Sequence, residues 1–184
     1  MEEDLRALLR GAAKGDMDAF GEVYERLSVR VFNYARAITK NKEVSEDITH
    51  SVFLQIHNKA AKLAEMANPT AYIMTAARNH AYDYFKRSRH AAIPIDEAAE
   101  TGVNTTPFDR MLIEDALMRL SDNLRETVYL HYICGFTQKE TAAIMGVALA
   151  TVKWRCKKAI KQLQGFLIED NPIERSVCFH EAIS

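Results

Sequence analysis

Apolar residues recur every three or four positions through most of the chain, which is the spacing of one face of an α-helix. The clearest apolar stripe lies between residues 16 and 39 and consists of Phe20, Val23, Leu27, Val31, Tyr34 and Ile38. Strict alternation of apolar and polar residues, the pattern of a half-buried strand, is not sustained anywhere. The pattern therefore predicts an all-α protein.

The periodic segments of the first half predict four helices. They cover a short run around Leu5, Leu8 and Leu9, and then residues 16–39, 44–63 and 70–89. Breaks between them fall at Gly15-Asp16, Asn41-Lys42 and Asn68-Pro69. These are residue types that punctuate helices. We call this predicted helical domain, residues 1–90, lobe one.

Helical periodicity weakens between residues 91 and 107, where Pro94, Gly102 and three carboxylates occur. Such a segment is typical of a flexible, solvated linker. Thr106-Pro107 has the order of a helix cap followed by a first-turn proline, which predicts a second small helical domain over residues 108–165, called lobe two. Residues 166–184 form a tail to which the sequence assigns no role.

Residues 135–163 have the pattern of two short helices around one tight turn. Thr137 and Glu140 have the spacing of a capping box, and Gly146 can adopt the left-handed conformation of the turn. The second helix is amphipathic with a cation-rich polar side, and Gly165 is predicted to end it. This helix-turn-helix fits the major groove of DNA. A solvated basic helix on any small helical domain is the alternative.

Charge is segregated along the chain, although the formal net charge is only −1. Residues 135–164 carry six lysines and arginines against Glu140 alone, a balance of +5. Residues 91–115 carry six carboxylates against Arg110, a balance of −5. The first segment can face phosphate, and the second would be repelled by it.

Several other classes of function are disfavoured. No apolar run reaches the length of a membrane span, and the start Met-Glu-Glu-Asp lacks the cations and apolar stretch of a signal peptide, which predicts a cytoplasmic protein. Three widely spaced cysteines predict no disulfide framework. His131 and Cys134 could share a helix face, but a single pair indicates core packing rather than a zinc site. Neither a phosphate-cradling glycine loop nor clustered catalytic carboxylates occur, so no enzymatic activity, metal or cofactor is expected.

Several strings of residues resemble extracytoplasmic-function sigma factors of the sigma-70 family, the small promoter-recognition subunits of bacterial RNA polymerase. The strings similar to the family's domain four are Gly135 to Glu140, Thr151 to Arg155, and Lys158-Ala159. Three groups in lobe one are similar to its domain two: Gly15-Asp16 with Ala19-Phe20 and Tyr24; Glu46-Asp47-Ile48 with Val52-Phe53-Leu54; and Ala71-Tyr72-Ile73 with Ala76-Ala77-Arg78-Asn79 and Asp83. The resemblance covers most of the chain and implies domain two in residues 1–90 and domain four in residues 108–165.

The resemblance implies that the helix over residues 44–63 binds the clamp of the largest polymerase subunit. Its apolar residues repeat every four positions and can be buried. Four polar residues are then left for the partner: Asp47, His50, Ser51 and Gln55. His50 stands where the family usually has glutamine. A polar helix face that is merely solvated is the alternative.

The resemblance assigns the helix over residues 70–89 to the minus-10 promoter element, held as an opened single strand. Cations interleaved with amides and aromatics suit this task, because rings stack on bases and cations hold the backbone. In the family, the loop before this helix accepts a flipped-out base, and Asn68 is the polar candidate. The residues expected to bind the minus-10 strand are Asn68, Arg78, Asn79, Tyr82, Lys86 and Arg87.

The second helix of the helix-turn-helix is expected to read the minus-35 element with its N-terminal part. The residues expected to bind there are Lys153, Trp154, Arg155, Lys157 and Lys158. Trp154 stands where the family usually has serine. Two roles for it stay open: contact with a sugar or a thymine methyl, or folding back on the domain.

The sequence thus predicts a sigma factor that binds core RNA polymerase, reads the minus-35 element of promoter DNA and melts the minus-10 element. Two lobes on a flexible acidic linker would also admit an anti-sigma factor between them, which is common in the family. One alternative is a helix-turn-helix repressor or activator with a helical dimerisation or sensing domain, which does not explain Glu46-Asp47-Ile48 or Ala77-Arg78-Asn79. The other alternative is a helical interaction adaptor, which gives no function to the segregation of the cations.

Overall fold

A computed structural model describes residues 2–88, 113 and 115–170 of the chain. Every regular element in those residues is helical, so the all-α prediction is confirmed. The elements in chain order are α1 (Glu2–Ala12), α2 (Met17–Thr39), α3 (Lys42–Ala64), α4 (Pro69–Ser88), α5 (Asp122–Val128), a π-helical turn (Tyr129–Ile133), α6 (Gln138–Met145) and α7 (Leu149–Asp170). The predicted linker over residues 91–107 lies outside the described residues. None of the helices described combines the length and the apolar character that crossing a membrane requires.

The breaks predicted in lobe one coincide with side chains that cap helices. Asp16, Asn41 and Asn68 each accept hydrogen bonds, at 2.8–3.0 Å, from backbone N–H groups in the first turn of the next helix. These bonds satisfy donors that no helical carbonyl can reach. As a result α2, α3 and α4 begin at residues 17, 42 and 69, close to the predicted 16, 44 and 70.

Lobe two is built around the predicted helix-turn-helix. Residues 115–119 are helical, and α5 continues directly into the π-helical turn. The capping box of Thr137 and Glu140 is confirmed, as is the left-handed Gly146, whose φ is 65°. α6 and α7 are therefore joined by the tight turn that the sequence predicts.

The end predicted for the second helix at Gly165 is wrong, because α7 runs on to Asp170. A glycine inside a helix costs only about 1 kcal/mol relative to alanine. Phe166, the next residue, packs against the apolar cluster of lobe two, and the Arg119 guanidinium lies 4.1 Å from the centroid of its ring. These contacts favour continuation of the helix past the glycine.

The two lobes share one apolar core, which the sequence analysis did not predict. Residues from the π-helical turn, the loop after it and α6 are buried in the same cluster as the helices of lobe one: Tyr129, Leu130, Cys134, Phe136, Ile144 and Met145. Lobe two also keeps a smaller cluster of its own around Leu124, Val128 and Ala159. Helical periodicity does not indicate which apolar residues of lobe two are buried against lobe one, because that depends on how the helices dock.

Arg125 links the lobes with polar contacts inside that core. It is 2% exposed. Its Nε donates to the Ala37 carbonyl of α2 at 3.0 Å, and its Nη1 donates to the carbonyls of Met118 and Leu120 at 3.2 Å each. Nη2 pairs with Asp122. A buried guanidinium is tolerated when its donors are satisfied in this way, so Arg125 fixes α5 against α2.

Candidate nucleic-acid and protein interfaces

The outer face of α7 carries the residues predicted to bind the minus-35 element. A small apolar cluster of Ala142, Val152 and Cys156 packs α7 against α6 and so determines which side of α7 faces outward. The residues exposed on that outer side are Lys153, Trp154, Lys157 and Lys158, while Arg155 is half-buried. The structure therefore brings all five predicted residues together, with Arg155 at the margin.

Trp154 points away from the protein. Its side chain is 58% exposed, so it does not fold back on the domain. The Nζ atom of Lys158, one helical turn further along, lies 4.8 Å from the centroid of the indole ring. A cation over an indole face is attracted by the electrons of the ring. The two side chains thus form one unit on the surface predicted to enter the major groove.

The predicted minus-10 residues of α4 divide into two groups. Asn79 and Lys86 are exposed and seven residues apart, which places them on the same side of the helix. Arg78 and Tyr82 contact lobe two, and the Arg78 guanidinium lies 4.3 Å from the centroid of the Tyr82 ring. The side chain of Arg87 is outside the part of the structure that can be described.

Glu126 of α5 binds Arg78 and Tyr82. Its side chain has no solvent exposure. Oε1 accepts hydrogen bonds from Arg78 Nε and from the Tyr34 hydroxyl at 2.7 Å each, and Oε2 accepts one from the Tyr82 hydroxyl at 2.9 Å. Three donors from lobe one therefore converge on one carboxylate of lobe two, which offsets the cost of removing that carboxylate from water.

Burial and the charge of Glu126 change the acidity of the two tyrosines. Burial is the larger cause and the nearby carboxylate the second, and together they raise the pKa of Tyr82 to about 12 and the pKa of Tyr34 well above its ordinary value. Both phenols therefore keep their protons at physiological pH and remain hydrogen-bond donors to Glu126.

Asn68, predicted to meet a flipped-out base, is engaged through both atoms of its amide. Its Oδ1 accepts a hydrogen bond from the backbone N–H of Ala71 at 2.8 Å and caps α4. Its Nδ2 donates to Oε1 of Glu140 at 2.6 Å. Glu140 is also the carboxylate of the capping box, because its Oε2 accepts from the Thr137 backbone N–H at 2.8 Å. Asn68 thus joins the start of α4 to the start of the helix-turn-helix.

A groove of about 550 Å³ between α2 and α3 includes part of the predicted polymerase-binding face. Asp47 and His50 line this groove. Ser51 and Gln55 are half-buried outside it, and Gln55 Nε2 donates to the Tyr72 hydroxyl of α4 at 3.3 Å. The structure therefore places two of the four predicted residues in the groove, and Gln55 also contacts α4.

Large exposed apolar side chains on α2 and α3 were not among the predicted binding residues. Tyr24 and Val29 line the groove at 47% and 63% exposure, and Leu54 on α3 is 58% exposed. Apolar side chains that cluster in water mark protein contact surfaces. The sequence held a signal for them, because all three fall outside the buried periodic positions of α2 and α3.

Glu126 was also missed. It lies within residues 124–130, all of which are buried, and a carboxylate in such a run needs a partner. Its cationic partner Arg78 is 48 residues away in the chain, so helical periodicity cannot identify the pair.

Of the pair predicted to pack in the core, Cys134 is buried and His131 is half-buried. Cys134 is buried in the shared core, and His131 Nδ1 lies 2.7 Å from the Phe136 carbonyl oxygen. Among the residues that the structure describes, no three His, Cys, Asp or Glu side chains are placed to hold a metal ion.

Two family models match the chain, one on each lobe. Residues 23–91 match Sigma-70 region 2, and residues 110–163 match Sigma-70, region 4. Among curated proteins, the ECF RNA polymerase sigma factor SigK of Mycobacterium ulcerans (strain Agy99) is 27% identical over 176 residues, covering 90% of this chain and 94% of that protein. SigK of Mycobacterium sp. (strain JLS) is 29% identical over 177 residues, covering 89% and 91%.

Solved structures show the same fold. The sigma factor RpoE of Bartonella quintana, in complex with the anti-sigma factor NepR, aligns with a TM-score of 0.70 and 25% identity over 83% of this chain and 98% of that chain. CnrH, in complex with the cytosolic domain of CnrY, aligns with a TM-score of 0.65 and 22% identity over 91% of this chain and 99% of that chain.

Proposed function

Because this chain belongs to the extracytoplasmic-function group of the sigma-70 family of RNA polymerase sigma factors, we propose how its lobes divide promoter recognition. Lobe one docks on the clamp of the largest polymerase subunit and holds the minus-10 strand, and lobe two reads the minus-35 element. One observation carries this division. The region 2 match falls on the lobe with the α2–α3 groove and α4, and the region 4 match falls on the lobe with the cationic face of α7.

In this proposal the chain works by binding alone, in the cytoplasm, where polymerase and promoters meet. Capture of unstacked bases opens the DNA, and the polymerase supplies the chemistry. The region 2 match over residues 23–91 counts against an ordinary helix-turn-helix repressor or activator, because such a protein needs no polymerase-docking lobe. Transcription in vitro is the direct test: core polymerase should start at specific promoters only when the chain is added, and failure to bind core would overturn the proposal.

We also propose control by a protein inhibitor of the anti-sigma class. The support is the similar Bartonella quintana sigma factor, which was crystallised with such a protein. Co-purification of an inhibitor from the native host would identify it.

Charge reversal at Asp47 is expected to weaken binding to core polymerase. Asp47 lies in the α2–α3 groove beside exposed Tyr24 and Val29, where a partner would bury it. Reversing a charge inside a contact surface puts the wrong sign of charge against groups of the partner that complement the original one. We expect Asp47→Lys to raise the dissociation constant by about tenfold or more, equivalent to about 1.4 kcal/mol, in an anisotropy titration of labelled chain with core.

Glu65→Lys is the matched control for this change. Glu65 follows the last residue of α3, about 27 Å along the helix from Asp47 at 1.5 Å per residue, and its contact with Arg10 is solvent-exposed. It should bind core as the wild type does. Equal affinity of the Asp47 variant and this control would show that the groove is not the docking surface.

Two cations of α7 are expected to contribute differently to minus-35 binding. Lys158 is exposed beside Trp154 on the outer face, whereas Arg155 is half-buried at its margin, where phosphates of the groove wall would lie. A lost base contact costs about 1–3 kcal/mol on the correct sequence, whereas a lost phosphate contact weakens all sequences and lowers the salt slope by about one. Lys158→Ala should therefore relax minus-35 preference, and Arg155→Ala should weaken binding uniformly.

Holoenzyme binding to single-base minus-35 variants over a salt series separates the two effects. Lys42→Ala on lobe one removes an exposed cation far from α7 in the chain and should change neither quantity. If Lys158→Ala and Arg155→Ala lose the same factor on every sequence, α7 holds phosphate without reading bases.

A further inference from the structure

Lobe two forms hydrogen bonds with side chains of lobe one that are predicted to bind the minus-10 strand. Of the predicted minus-10 residues whose side chains are described, three contact lobe two and two stay open. Arg78 and Tyr82 donate to Glu126, and Asn68 donates to Glu140. We infer that lobe two is an internal inhibitor of minus-10 binding, whose carboxylates occupy the strand-binding side chains of lobe one until the lobes separate. The inference rests on the proposed function of α4.

Glu126 and a DNA strand would compete for the same groups on these side chains. The Nε donor of Arg78 is committed to Oε1 of Glu126 at 2.7 Å, so it cannot bind a phosphate oxygen at the same time. The Arg78 guanidinium also covers one face of the Tyr82 ring, the surface on which a base would stack. Carboxylate oxygens resemble phosphate oxygens as acceptors for arginine, so Glu126 takes the place of a nucleic-acid oxygen.

Both sides of this contact are specifically placed. Glu126 is fully buried, and one of its donors is Tyr34, which belongs to the core of lobe one and has no exposure. Core and surface groups of lobe one thus form one set of hydrogen-bond donors for a single carboxylate. Arg125, the preceding residue, fixes the same helix to α2 through the Ala37 carbonyl. An incidental contact between two protein surfaces would leave the side chains of Glu126 and Arg125 exposed to water.

Separating the lobes requires a partner for the exposed core. The polar groups of the Glu126 contact regain water when they part, but Tyr129, Leu130, Phe136, Ile144 and Met145 lose their apolar cover. The closed arrangement is therefore favoured in the free chain, and a partner that binds the separated lobes shifts the balance. While the closed form dominates, only a small fraction of the molecules is open. The apparent affinity for a strand is lowered in proportion to that fraction.

The test measures binding of a labelled single-stranded oligothymidylate to the free, full-length chain. Glu126→Gln keeps the shape of the side chain and removes its charge, so we expect it to bind the oligonucleotide at least tenfold more tightly than the wild type. Asp115→Asn is the matched control, because it removes one exposed carboxylate of lobe two and should bind as the wild type does. Adding Arg78→Ala to Glu126→Gln should abolish the gain.

An unchanged affinity for Glu126→Gln, or an equal gain for Asp115→Asn, would overturn the inference. Glu140→Gln is a second variant that retains the capping box, since glutamine also serves at that position. Glu140→Gln should bind the oligonucleotide several-fold more tightly than the wild type. If circular dichroism shows that Glu126→Gln has lost helix, the affinity of Glu140→Gln becomes the test of the inference. In this inference core polymerase is the partner that holds the lobes apart, so the wild type and Glu126→Gln should bind the oligonucleotide equally in holoenzyme. A wild-type holoenzyme that cannot hold any strand would count instead against the proposed function.

Discussion

Replacing Arg125 by alanine is expected to lower the free energy of unfolding by about 3–5 kcal/mol. The guanidinium is 2% exposed and donates to three carbonyl oxygens, those of Ala37, Met118 and Leu120. Alanine would leave these acceptors without their donors and a void in the core between α2 and α5. Urea unfolding followed by circular dichroism measures the loss as a lower midpoint.

Two further substitutions make this expectation specific. Arg26→Ala removes an exposed arginine paired with Glu22 at 3.4 Å and should cost less than about 0.5 kcal/mol. Arg125→Lys keeps the charge but loses the planar fork of donors, so it should recover only part of the stability. A loss below about 1 kcal/mol for Arg125→Ala would show that water replaces the guanidinium and that this residue does not fix α5 to α2.

Holoenzyme in which both Asn79 and Lys86 are replaced by alanine is expected to open promoters roughly 30- to 1000-fold less, a loss of about 2–4 kcal/mol. The two side chains are exposed on the same side of α4. An amide can bond a base edge while the cation holds the backbone, so the opened strand would lose both kinds of contact. Permanganate reactivity of thymines in the minus-10 element measures the opened fraction.

The same double variant should bind core polymerase normally, because neither residue lies in the α2–α3 groove. Lys14→Ala, which removes an exposed cation after α1, controls for charge alone and should leave reactivity unchanged. Normal permanganate reactivity in the double variant would assign strand capture to another part of the polymerase.

Elements defined by local chemistry could be predicted from the sequence. Asp16 and Asn41 mark helix starts because each satisfies nearby backbone donors, and Thr137 with Glu140 does the same for the helix-turn-helix. The exposed face of α7 also followed from its pattern, since the inward residues recur with helical spacing. Such features depend on residues only a few positions apart, and one sequence contains all of that information.

Features that depend on contacts between distant elements could not be predicted. Gln55 is predicted to lie on the polymerase face, but the sequence does not indicate that its amide also donates to the Tyr72 hydroxyl across the α3–α4 contact. Glu126 was not predicted as a site residue, because its hydrogen-bond donors lie on the distant helices α2 and α4. Tyr129 and Leu130 are apolar in the sequence, but their burial against the other lobe depends on how whole helices dock.

The exposed position of Trp154 gives the protein an intrinsic optical reporter. The chain contains one tryptophan, and it stands on the outer face of α7 with 58% of its surface in water. The indole emission of the free chain therefore originates at the surface that would meet DNA, next to the ammonium of Lys158. Removal of water from that ring and movement of the cation both alter its surroundings, so occupancy of this one helix can be followed by fluorescence without attaching a dye.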